Sequence, residues 1–178
     1  GLNCHPSIRT LSFIFDNKTD HILFLQIAED GPLKRKHTGL KGEIGMAEDT
    51  NAAAIRNIQE SSGLIVSEAV LRGVVKTTQA STGSATQAST GSATQVSTGS
   101  ATVYLVYESS KFSGEMESKI PGRLKWVDIL NIFNLQMESL VQEIMPNLLD
   151  GESFFERTIH LNELDEVVSS DIRICNTI

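Results

Sequence analysis

Cysteine is scarce: Cys4 and Cys175 are the only two in 178 residues, and they sit near opposite ends of the chain. That is too few and too far apart in sequence for a disulfide framework or a zinc site, and it points to reduced thiols and a cytoplasmic setting. Long apolar runs are missing too. Asp16, Asp20 and Glu29 interrupt the hydrophobic stretches, so neither a secretory signal nor a membrane span of ~20 residues is expected. Positive charge is short, with 15 Lys and Arg against 22 Asp and Glu, a net charge of -7 and a pI near 5.1. This balance argues against an unspecific grip on a nucleic-acid backbone. The one tight basic cluster, Lys34-Arg35-Lys36, reads as a solvated loop. His5, His21, His37 and His160 lack metal-ligand spacing and read as surface or structural residues. The single tryptophan, Trp126, reads as a core anchor rather than a base-stacking platform.

Hydrophobic content is 40%, enough for one domain with a substantial core over residues 1–178. TLSFIF and HILFLQIA, joined by the turn-forming DNKTD, predict a β-hairpin within residues 10–28. Further strands are expected at 69–76 and 103–107, with a terminal hairpin at 154–161 and 166–174. Between the two middle strands lies a repeat of period eight: QASTGSAT at 79–86, again at 87–94, and with Val96 replacing Ala at 95–102. Ser, Thr, Gly and Ala bury little apolar surface, so composition predicts an insertion that is disordered or forms loose hairpin arms. An interaction role for this repeat is the minority reading.

The stretch 42–64, GEIGMAEDTNAAAIRNIQESSGL, organises the chain. Thr50 is placed to cap a helix over 51–62, which contains no Gly or Pro, and Gly63 is placed to end it in the left-handed conformation. Ala54, Ile55 and Ile58 can face a core, while residues 57, 60 and 61 are three and four apart and share a face. From Gly42 there are five residues to Glu48 and seven more to Arg56, then Asn57, Ile58, Glu60, Ser61, Gly63 and Leu64. The pattern resembles a degenerate Nudix box: Gly, any five, Glu, any seven, Arg-Glu, an aliphatic, any one, Glu-Glu, any one, Gly, an aliphatic. Asn57 and Ser61 stand where that box has glutamates. Upstream, Lys41, Gly45 and Ala47 replace a Gly, a Glu and a Gly of the usual Gly-Gly-x-Ile-Glu-x-Gly-Glu entry. Leu124, Trp126 and Val127, then Met145-Pro146-Asn147-Leu148-Leu149 and Phe154-Phe155, extend the likeness to MutT-type Nudix proteins over roughly residues 8–174, the repeat excepted.

The resemblance implies an α/β fold, an α/β/α sandwich with a mixed sheet between helices. It further implies a site in which box glutamates hold Mg²⁺, or Mn²⁺, against the pyrophosphate of a nucleoside diphosphate derivative. By matched position Glu60 is a metal ligand, Glu48 orients loop and helix, and Arg56 holds the box carboxylates or loop in place. Hard divalent cations want anionic oxygen, and Asn57 and Ser61 occupy degenerate ligand positions with neutral groups. Glu108, Glu115 and Glu117 are the candidates for an additional acid from outside the box. No residue is assigned to substrate binding, and the oligomeric state is left open. Three readings follow. The favoured one is a Nudix-fold domain with impaired or lost metal-dependent catalysis that binds a nucleotide or acts as a regulatory module. The others are an active Mg²⁺-dependent pyrophosphohydrolase using Glu60 with Glu43, Glu48 or a loop acid, and an interaction protein that uses the repeat.

Overall fold

The protein is described here from a computed structural model covering residues 5–81, 99–151 and 153–175. Strand β1 (Ser7–Asp16) lies centrally, and its alternation explains why both its faces are covered. Leu11, Phe13 and Phe15 point into one core, and Ile14 points into another on the opposite face. The chain then runs through β2 (His21–Gln26), β3 (His37–Thr38), β4 (Leu40–Glu43), helix α1 (Thr50–Ser62), β5 (Ile65–Val66) and β6 (Val70–Ala80). After the repeat come β7 (Gly99–Ser109), β8 (Phe112–Ser113), β9 (Arg123–Asp128), a 3-10 helix (Ile129–Asn134), α2 (Ser139–Leu149), β10 (Phe154–Leu161) and β11 (Val167–Cys175).

The main sheet has the order β11-β10-β6-β7-β1-β2-β3, with β4 also paired to β1 and β9 to β2. It is mixed, since β1/β7 and β6/β10 are parallel and the remaining pairs antiparallel. On one face α2 inserts Leu140, Val141, Ile144, Met145 and Leu148 against Phe13, Phe24, Val106, Phe155 and Ile159. On the other face α1 supplies Ala54 and Ile58, small enough at the first position to let the helix lie close to the sheet. The architecture is therefore the expected α/β sandwich.

The predicted hairpin forms, but only at its tip. Its strands pair at Phe15↔Ile22 and Asp16↔His21 alone. Upstream, β4 occupies the same edge of β1, from Arg9↔Glu43 to Ser12↔Leu40, so β2 splays away and takes β9 as its main partner. The terminal hairpin runs over 154–161 and 167–175, close to expectation. The middle strands are longer than the apolar pattern suggests, because antiparallel pairing continues past it to Gln79↔Ser100 and Ala80↔Gly99. Those pairs include the two ends of the repeat. The rest of the repeat, residues 82–98, lies outside the described residues, as does Cys4. Cys175 is a free thiol. Among the described residues, no helix is long and apolar enough to cross a membrane.

Candidate functional site

Helix α1 starts one residue earlier than expected because its cap is Asp49, not Thr50: the Asp49 carboxylate accepts the Ala52 N–H at 3.2 Å. An aspartate in extended conformation at that position satisfies one of the otherwise unbonded amides and suits the positive end of the helix. The other end is as expected, with Gly63 left-handed at φ 78° and its N–H donating to the Gln59 carbonyl. The loop beyond β8 closes over this end. Glu117 N–H donates to Ser62 O at 2.8 Å and Lys119 N–H to Ser61 O at 3.0 Å, which satisfies carbonyls that the helix itself cannot.

Arg56 is the hub of the site. Its Nε donates to Glu48 Oε2 and its Nη2 to Glu48 Oε1, both at 2.7 Å, a bidentate fork. Nη2 also reaches the Glu43 carbonyl at 3.0 Å, and Nη1 donates to Glu60 Oε2 at 3.0 Å. Glu48 in turn accepts the Gly45 N–H at 3.0 Å, so one guanidinium ties helix, loop and β4 together. The Arg56 side chain, followed by the Gly45 amide, holds the Glu48 carboxyl down to a pKa of about 2, and Glu48 pushes that of Arg56 up. Glu60 is largely exposed, its side chain at 62%.

Asn57 takes a different direction. It is buried, and its Nδ2 donates to Thr10 Oγ1 at 2.8 Å and to the Glu43 carbonyl at 3.0 Å. Its amide occupies the space above Gly42 so completely that a Cβ there would lie 2.0 Å from Asn57 Cγ. The glycine is required by this close approach. Ser61 is buried as well. The shared face of residues 57, 60 and 61 is thus divided: Glu60 turns outward to Arg56, while Asn57 is drawn under the loop.

A divalent cation needs several oxygen donors converging at about 2.0–2.6 Å. Among the described residues, no group of three His, Cys, Asp or Glu side chains is placed to hold one. Glu48 and Glu60 are committed to Arg56, Asn57 presents amide hydrogens to its neighbours, and Glu108 faces Arg72 at 3.4 Å. Glu115 and Glu117 lie on the loop at the end of α1, with the Glu115 carbonyl directly over Gly63. As arranged, these residues do not fit a bound metal.

Two features near the box escape sequence reasoning. Lys41, in the position of a box-entry glycine, extends to the α2 side and pairs with the buried Glu138 at 2.8 Å. Thr38 donates to the same carboxylate at 2.6 Å, and Tyr104 presents its ring 5.4 Å from the ammonium. Burial opposes the Lys41 charge, but Glu138 and Tyr104 outweigh it and leave the pKa above its ordinary value. The lysine was visible in the sequence; its partner, 97 residues away, was not. The second feature is a polar cavity of about 540 Å³ lined by Ser7, Ile8, Arg9, Glu43, Ile44 and Thr102. Arg9 Nε is buried and has no hydrogen-bond partner among the described residues.

A mixed sheet flanked by α1 and α2, with the loop and helix of 42–64 set against β1 and β4, defines a Nudix-type α/β sandwich, and the chain has the fold of the Nudix hydrolases. It is similar to the MutT protein of Bacillus halodurans, at 19% identity and a TM-score of 0.75 over 93% of this chain and 96% of that one. It also resembles the Nudix domain of Shewanella oneidensis NrtR complexed with ADP ribose: 10% identity and TM-score 0.59, covering 82% and 88% of the two chains. The E. coli dihydroneopterin triphosphate pyrophosphohydrolase matches at 16% identity and TM-score 0.53, over 81% and 96%. No family model matches the sequence, and no curated protein does.

Proposed function

We propose that this chain binds a nucleotide derivative in a Nudix scaffold and that its metal-dependent hydrolysis is impaired or lost. The carrying observation is Asn57. A neutral amide at a ligand position of the box is buried against Thr10, Gly42 and Glu43, and Arg56 neutralises the carboxylates left nearby. Nudix hydrolases generally use divalent metals, which supply charge neutralisation and activated water. Here the residues perform other tasks: Arg56 and Glu48 hold the loop, and Asn57 locks it to β1. The cavity lined by Arg9 supports ligand binding, since a guanidinium at its wall suits an anionic phosphate oxygen. The ADP-ribose complex of the NrtR domain makes that compound a first probe.

The test is restoration of charge. Asn57→Glu with Ser61→Glu, and Gly45→Glu added, returns three carboxylates to the site; the glutamate at 57 has to leave the pocket over Gly42 and turn toward Glu60. Hydrolysis of ADP-ribose, nucleoside triphosphates or dinucleoside polyphosphates with Mg²⁺ should rise about 10²-fold or more over the parent. Calorimetry should show the parent binding one of these ligands without metal, more weakly after Arg9→Ala. A parent already as fast as the restored protein, or one that binds none of the ligands, overturns the proposal.

A further inference from the structure

Strand β11 ends the main sheet, and no strand lies along its outer side among the described residues. It is nine residues long, and Val168, Ile172 and Ile174 are 70%, 46% and 51% exposed. A long, apolar, open edge is a template for pairing with another chain. Its sequence selects the partner. Pairing with β10 puts Ser170, Ile172 and Ile174 on the α2 face, opposite Ile159, Arg157 and Phe155; Arg157 Nη2 confirms this by donating to Ser170 Oγ at 2.8 Å. Asp171 and Arg173 alternate onto the other face. Among the described residues, Arg173 is held only by Glu156 at 3.9 Å, both exposed, and Asp171 has no ion pair.

We infer that β11 is a homodimer interface, in which a second copy of this chain pairs antiparallel to it in a register centred on Ile172. Two-fold symmetry requires each contact to occur twice, and an antiparallel pair keeps each face on its own side. In this register Asp171 of each copy stands opposite Arg173 of the other, Ile172 meets its own copy, and Ile174 meets Ser170. The result is two cross-strand ion pairs on one face and a cluster of four isoleucines on the other. Centring on Asp171 or on Arg173 instead would set like charges opposite one another, which is unfavourable. The dimer joins two sheets edge to edge and leaves the box helix and the Arg9 cavity, at β1 and β4, free. It is independent of the nucleotide-binding proposal.

Light scattering after size exclusion and sedimentation equilibrium, over about 10–200 µM, read the association. The full chain should dimerise, and Ile172→Lys should weaken association more than about 10-fold. In a Glu156→Gln background, which removes the neighbouring acid, Asp171→Arg should also abolish the dimer, and Asp171→Arg with Arg173→Asp should restore it. Circular dichroism melts check that each variant is folded. A second readout does not depend on charge. In Cys4→Ser protein, Ser169→Cys places a thiol opposite Cys175 of the second copy, so a short thiol cross-linker should give covalent dimers, whereas Ser170→Cys should not. A monomer across the range, a dimer indifferent to Ile172→Lys and Asp171→Arg, failure of the charge swap to restore association, or equal cross-linking from positions 169 and 170 overturns the inference.

Discussion

Asn57 and Gly42 form a unit in which one residue is small because the other is large and inward. Gly42 lies in β4 with ordinary backbone geometry, and the space above it is filled by the Asn57 amide. Gly42→Ala should therefore destabilise by about 1–3 kcal/mol in urea unfolding, through overpacking rather than backbone strain. In an Asn57→Ala background the penalty should shrink by more than half, since residues in contact couple. Glu48 offers a test of the Arg56 hub. Its carboxyl pKa falls from an ordinary 4.5 to about 2 on folding, so its contribution is complete above 4.5 and is lost as pH falls through 2. Glu48→Gln keeps an acceptor for the Gly45 amide and removes the ion pair. The stability gap between wild type and Glu48→Gln, measured by thermal melts, should be constant from pH 7 to 5 and close between pH 4.5 and 2.

Among the elements, α1 shows how adjacent capping residues compete. Asp49 and Thr50 are both good N-cap types, and the charged one takes the role, which moves the helix start back by one residue. Asp49→Ala should cost about 1 kcal/mol of stability, whereas Thr50→Ala, at the first helical position, should stay within about 0.5 kcal/mol; chemical denaturation of the two variants separates them. The N-terminus of α2 is capped from a distance. The Ser139 N–H donates to Asp165 Oδ2 at 2.9 Å, from the turn between β10 and β11. Burial raises the Asp165 pKa against the opposing effect of that bond. Pro146, within α2, has no N–H to give the Gln142 carbonyl one turn back, and the helix continues past it to Leu149.

For the whole molecule, the long β6/β7 pair is the spine that carries the repeat. Its two strands contain the buried residues Val75, Tyr104, Val106 and Tyr107, whose partners in the core clusters, among the described residues, lie outside the repeat. Joining Thr82 directly to Thr98 keeps the Ala80↔Gly99 pair and leaves three residues to turn. That deletion should retain a single cooperative transition with stability within about 2 kcal/mol of the parent, because loop length enters closure entropy only logarithmically. Loss of cooperativity would show that the repeat is integral to the domain.

Much of this was legible from local pattern alone. The apolar alternation of β1 and β2 and the Phe154-Phe155 run marked individual strands, because periodicity and turn chemistry act within a few residues; the sandwich itself followed from the family resemblance carried by the spacing from Gly42 to Leu64. That spacing also determined that Glu48, Arg56 and Glu60 would lie on one loop and helix, and that positions 57 and 61 carry no charge. Tertiary structure decided the rest. Whether Asn57 faces solvent or the sheet depended on Thr10, 47 residues distant, and the splaying of β1 from β2 depended on β4 occupying the same edge. The pairing of Lys41 with Glu138 is likewise a contact between segments that no spacing connects. Side-chain direction at such points is set by which hydrogen-bond partners and which volume remain after the layers pack, and those are properties of the assembled sheet rather than of any one stretch of chain.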